Sequence, residues 1–302
     1  MRTLNKSTLI LFIGILAVST ASLFIRKAQT TLPSSFIAAG RLVLASLIMI
    51  PFNGKGVIGN ISSISKNERV LVGLAGVFLG FHFITWIKSL EFTTIASSVI
   101  LVTTTPVWVA MFSPIFLKEK ITRQVVIGLL VAMLGIIVLF LFPSVSKIAT
   151  RFTTKELIGN GLALIGAWMM AAYTIVGRHV RDSLPFRNYI LLVYGIAALI
   201  ACLFAIPDLR TTPVEFGEGL KWVILLALIP QLIGHTLFNA AVRQIPAVYA
   251  SIALLGEPVG TILLAWIFIG EKPGIHDLLG GAFVIVGILL AFSKEKKNQS
   301  LE

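Results

Sequence analysis

The sequence predicts an all-α membrane protein of ten transmembrane helices, arranged as two inverted five-helix repeats. Three observations carry this: an apolar excess, ten segments long enough to span a bilayer, and a register in which the chain matches its own second half. Hydrophobic residues fill 57% of the 302 positions and charged residues 13%, with a mean hydropathy of +0.95. Soluble domains carry about 25% charge, so a soluble fold is excluded. The net charge of +12 sits in short basic clusters between apolar stretches, a placement that serves membrane orientation rather than nucleic acid. The single cysteine, Cys202, lies within an apolar run, which leaves no intrachain disulfide framework and no cysteine-built metal centre.

A helix needs about 20 mainly apolar residues to cross the hydrocarbon, where a bare peptide group finds no partner. The first such segment, 9–25, follows Arg2 and Lys6 and has the outline of a secretory signal peptide; the repeat described below argues that it is a retained span. The second, 34–52, holds Arg41, and the third, 70–90, holds Gly76, Gly80, His82 and Trp86. The fourth, 93–117, carries Thr103 to Thr105, Pro106 and Trp108, and the fifth, 124–142, is marked by Gly128 and Gly135. Trp168 and Tyr173 lie on the sixth, 158–176, and Tyr194 on the seventh, 188–206. The eighth, 220–238, brings Gln231 and His235, with Asn239 at its end. The ninth, 247–268, contains Tyr249, Glu257 and Pro258, and the tenth, 277–292, Gly280 and Gly287.

Ten spans put both termini on one side. Of the 25 Lys and Arg, fifteen fall on that side, nine on the other and Arg41 within a span. The excess predicts cytoplasmic termini. Loops this short leave no room for a soluble domain.

A shift of 152 residues brings Pro106 onto Pro258, Phe116 onto Phe268, Glu119 onto Glu271, Lys120 onto Lys272, Gly128 onto Gly280 and Gly135 onto Gly287. It also sets Gly14 on Gly166 and Arg26 on Arg178, and one residue further His82 meets His235 and Arg41 meets Tyr194. The chain therefore reads as a duplication, with repeats at 1–146 and 147–302. Five spans per unit force the second copy to insert upside down, an architecture whose ligand site lies between the repeats near the midplane.

Two stretches carry a family resemblance: Leu90 to Phe140, with its EFTTIASSVILVTTTPVW start and FLKEK loop, and Gln244 to Phe292, with IPAVYASIALLGEPVG and FIGEK. Both resemble the EamA-domain transporters of the drug/metabolite transporter superfamily, and with Arg41 the likeness covers nearly the whole chain. One departure is that the opening helix of the first repeat lacks a Trp common in such proteins, whereas the sixth span has Trp168. The resemblance implies ten helices around a central cavity and cytoplasmic termini in a bacterial inner membrane. It also implies a secondary carrier moving small metabolites, such as amino acids, often outward; nucleobases, sugar derivatives or cationic drugs are the alternative cargoes.

Glu257, ten residues into its span, is costly as an ion in hydrocarbon; it either takes and releases a proton in a transport cycle or locks the bundle by hydrogen bonding. Arg41 either clamps a substrate carboxylate bidentately, snorkels to the interface, or bonds the carbonyls of a broken helix. His82 and His235 are candidates for a proton path or a polar substrate contact, against plain packing. Trp168, Tyr173 and Tyr194 are candidate walls of a pocket, and Asn239 and Gln231 either bind cargo or bond neighbouring helices. Pro106 and Pro258 interrupt equivalent helices, the strongest sequence pointer to a carrier's binding region. Glu119 with Lys120, and Glu271 with Lys272, sit at loop mouths, where they satisfy helix ends or form a gating ion pair. The glycines serve close helix contact, and Lys294, Lys296 and Lys297 anchor the tail to anionic lipid.

No GxxxxGK[ST] loop and no HExxH motif occurs, so an enzyme or an ATP-driven pump is disfavoured. The spans hold too few charges for the charge rings of a channel. A membrane receptor stays compatible with the sequence. The reading calls for no cofactor and no metal. It leaves the oligomeric state open, a monomer being sufficient to enclose a cavity.

Overall fold

The computed structural model describes residues 6–52, 61–141, 153–180, 182–211, 217–270 and 272–293. The predicted boundary between the repeats at 146/147, Arg2, Glu271 and the lysine tail lie outside them. The described residues are helical, joined by turns, and fourteen α-helices can be numbered along the chain. These are α1 Lys6–Val18, α2 Ala21–Ala28, α3 Ser34–Met49, α4 Lys66–Phe92, α5 Ile95–Val102, α6 Thr105–Phe116 and α7 Arg123–Leu141. There follow α8 Thr154–His179, α9 Phe186–Thr211, α10 Gly217–Leu226, α11 Thr236–Val242, α12 Ala247–Ala253, α13 Gly256–Ile269 and α14 Ile275–Phe292. A π-helical stretch, Ala227–His235, joins α10 to α11.

Among the described residues nine helical stretches are long and apolar enough to cross a membrane. The predicted fifth span coincides with α7, whose apolar stretch Arg123–Leu139 is shorter. Four of the predicted segments are composite. The first turns at Ser19–Thr20 between α1 and α2, the fourth at Thr103–Thr104, the ninth at Leu254–Leu255, and the eighth passes through the π stretch. The breaks in the fourth and ninth fall one turn before Pro106 and Pro258, where a prolyl ring collides with the preceding turn.

Helix ends are capped by their own sequence. Ser65 accepts from the Glu68 amide while the Glu68 carboxylate accepts from the Ser65 amide, and Thr153 with Glu156 repeats this at the start of α8. Long α4 and α8 then pack along one another, as do α3 and α9. The closest approach is between α7 and α14. A Cβ on Gly128 would stand 2.5 Å from Gly287 O and Ala291 N, and one on Gly135 2.6 Å from Gly280 O. The pairing runs antiparallel, Gly128 with Gly287 and Gly135 with Gly280. Since lipid supplies no hydrophobic drive between helices, such small-residue seams let dispersion contacts do the work.

Apolar side chains also cover the outside, among them Leu130, Leu199, Ile267 and Leu289, each more than half exposed. That distribution suits contact with lipid chains.

Candidate functional site

The two breaks, the first turn and the π stretch meet at one cavity of about 60 Å³. Its wall is formed by Val18 and Ala21, His82 and Trp86 of α4, Val102, Thr103, Thr105 and Pro106 around the first break, Met170 of α8, His235, and Leu254, Leu255 and Glu257 around the second. An interrupted helix exposes backbone and short polar side chains where a continuous one would bury them. Thr103, Thr105 and Glu257 reach the cavity in this way.

Phe83 organises the polar groups beside the cavity. The Arg41 guanidinium lies 4.0 Å above its ring centroid, the His82 ring is 4.8 Å away, and the His235 ring meets it edge-on at 5.0 Å. His82 also stacks on Trp86 at 5.8 Å. Its Nδ1–H donates to Gly166 O at 2.9 Å, which leaves Nε2 of the neutral ring as an acceptor. Nδ1 of His235 is buried with no protein partner.

Arg41 is fully buried, and Nε and both terminal nitrogens have no hydrogen-bond partner. It therefore neither snorkels to an interface nor caps a broken helix, the two structural roles weighed from the sequence. Among the described residues the Glu257 carboxylate makes no hydrogen bond or ion pair. The backbone oxygen of Glu257 accepts from Ser19 Oγ at 3.0 Å and from Thr261 Oγ1 at 3.0 Å.

The other candidates divide. Tyr173 donates to Asn239 Oδ1 at 2.6 Å, and Asn239 Nδ2 donates to His235 O at 2.7 Å. Their polar atoms are spent on one another, and the chain of bonds pins α8 to the end of the π stretch. Tyr194 is buried, its hydroxyl 3.2 Å from Gln231 O and 3.1 Å from Thr236 Oγ1. Trp168, 41% exposed, packs edge-on against Trp108 at 5.4 Å and does not line the cavity. Its neighbour Ala167, about 100° away around the helix, is buried, so the rotation of α8 turns the indole outward. Among the described residues no group of three His, Cys, Asp or Glu side chains is arranged to hold a metal ion.

Sequence reasoning passed over Phe83, Met170 and the π stretch. The signal for the last was present: Pro230 in mid-span removes one amide from the ladder, and π turns concentrate at functional positions. The side-chain oxygen and nitrogen of Gln231 there are both buried without a partner.

At the loop mouths, Glu119 Oε1 accepts from Arg178 Nε at 2.9 Å and Oε2 from the Ala247 amide at 3.0 Å. Arg178 also donates to Val242 O and Arg243 O, at 3.0 and 3.1 Å. The turn preceding Glu119 puts Lys118 at φ 57°, and its repeat counterpart Gly270 is at φ 76°.

The chain is similar to known transporters along its length. An uncharacterized transporter of Clostridium kluyveri is 22% identical over 268 residues, 86% of this chain and 84% of that protein. A pseudopaline exporter of Pseudomonas aeruginosa is 23% identical over 299 residues, 98% of each chain. A solved crystal structure, 19% identical, superposes with a TM-score of 0.77 over 96% of this chain and 98% of that one, a likeness of fold. Residues 5–141 and 157–293 each match the EamA-like transporter family. With each half matching the same unit, the protein belongs to the EamA-like transporter family, multi-pass membrane transporters of small molecules.

Proposed function

We propose that the protein is a secondary active transporter that exports amino acids or related compounds across a bacterial cytoplasmic membrane by alternating access. In this reading all ten helical segments span, α7 included, and units 1–146 and 147–302 form two inverted repeats around the cavity. Both termini lie in the cytoplasm, as the Lys and Arg excess asks. The reciprocal seam of α7 and α14 supports the inverted pseudo-twofold, because Gly128 meets the partner of Gly135 and Gly135 the partner of Gly128. Similarity to a pseudopaline exporter supports outward movement.

The carrying observation is Arg41, buried without a hydrogen-bond partner on the Phe83 ring, which also meets His82 and His235 of the cavity wall. Burying a lone guanidinium costs several kcal/mol, which a substrate carboxylate held bidentately would offset. Glu257 faces the cavity as a site for a coupling proton or for a substrate ammonium, with His82 and His235 flanking. Tyr173, Tyr194 and Asn239 hold the wall, and the breaks at Pro106 and Pro258 let it reshape. At about 60 Å³ the cavity has room for a few waters, so cargo enters by widening it.

The test is counterflow in proteoliposomes with a panel of labelled amino acids, with and without an imposed pH gradient, beside Glu257→Gln. Saturable exchange is expected, with the gradient response lost in the variant. A response that survives Glu257→Gln removes the proton assignment. No exchange across the panel by folded protein removes the amino-acid cargo and turns the search to nucleobases, sugar derivatives and cationic drugs. Unitary currents in place of saturation overturn the carrier.

A further inference from the structure

Three of the cavity's helices run from it towards one point. Along α6 the chain leaves Pro106 for Glu119, along α8 it leaves Met170 for Arg178, and along α12 it runs back from Leu254 to Ala247. By helical rise each path is about 10–20 Å long. They end in the knot described above: Glu119 joins Arg178 to the amide that opens α12, while Arg178 holds the carbonyls that close α11. The ion-paired side chains are only 12% and 13% exposed. Glu119 belongs to the first family match and all its partners to the second. Lys118 keeps a left-handed backbone that is unfavourable for a residue with a side chain, and it is this turn that precedes Glu119.

At the other end of α8 the halves meet through Thr93 Oγ1, which donates to Asn160 Oδ1 at 2.8 Å, and through Lys155, which lies 5.9 Å from the Phe92 ring centroid.

We infer that the Glu119–Arg178 knot is the gate at the α6–α7 loop end of the transport path, broken and remade in each cycle. This rests on the carrier reading. Parting the two halves at that end must break both charge-assisted bonds of Glu119 and leave Arg178 Nε and the α12 amide without their acceptor, so the knot biases the resting protein towards closure there. A static brace would hold the same bonds in every state.

The test is accessibility of a cavity cysteine, Thr103→Cys in a Cys202→Ala background, to a membrane-impermeant maleimide applied from either side of oriented vesicles. With the gate intact, labelling from the α6–α7 loop side is slow. Glu119→Gln and Arg178→Gln each raise it about tenfold, the shift expected from losing a charge-assisted bond. Glu119→Gln combined with Arg178→Gln raises it no further than either alone, since both remove the same bond. Thr93→Ala, which loosens the opposite end, leaves it unchanged. Equal acceleration by Thr93→Ala means general loosening and overturns the gate, as does labelling that ignores both charge variants. Fast labelling from both sides in the unmodified background is a different failure: it describes an open pore and overturns the carrier itself.

Discussion

Arg41 states the balance between stability and use at the scale of one side chain. Its three nitrogens lack partners inside the fold, and the Phe83 ring supplies only a cation–π contact, worth about 2 kcal/mol when desolvated. Arg41→Met should therefore raise the melting temperature in detergent, by about 1–4 kcal/mol of stability, while abolishing exchange. A fall in melting temperature would make the arginine structural. Arg41→Lys keeps the charge but loses the planar fork, so KM for exchange should rise about tenfold or more. Native affinity in that variant would end the clamp assignment. Tyr173 is the opposite case, since Tyr173→Phe strips Asn239 Oδ1 of its donor. Thermal unfolding should register a loss of about 1–3 kcal/mol. Arg41, His82, His235 and Glu257 were legible in the sequence because an ionisable group in an apolar run stands out. Phe83 and Met170 were not, because apolar side chains in a span look alike until the helix is rotated into place. Trp168 misled for the same reason: one residue from a buried alanine, it faces out.

Among the elements, α7 and α14 set the clearest limit on substitution. Gly128→Leu or Gly135→Leu would drive a side chain into backbone atoms already 2.5–2.6 Å from an ideal Cβ. Overpacking of that kind costs about 3 kcal/mol or more, and the expected readout is loss of monodisperse protein. Gly73 is the control, since nothing lies within 4 Å of its Cβ position. Gly73→Ala should gain up to about 1 kcal/mol through helix propensity. The small-residue pattern was readable as close packing, but which helix each glycine meets was not. Proline breaks were also readable, since a missing amide is a local fact. The π stretch is a longer-range outcome: Pro230 loosens the ladder, and the bonds from Tyr173 through Asn239 to His235 O hold the widened turn.

Across the whole molecule, the repeat read from the sequence recurs as backbone geometry, with Lys118 and Gly270 at positive φ in the same register. Lys118→Gly should relieve that strain, raising stability by about 1 kcal/mol in thermal unfolding; a loss would show that the lysine side chain supports the knot. Composition, span lengths and the 152-residue register by themselves determined the class, the helical segments and the duplication. These are properties of short windows and of their recurrence, and hydrocarbon enforces them segment by segment through the cost of an unpaired peptide group. Only the tertiary structure decided that Arg41 goes unpartnered, that Tyr173 and Asn239 consume one another, and that Glu119 finds Arg178 across the halves. Partner choice depends on helix rotation and on contacts between residues far apart in sequence, and no local pattern carries either.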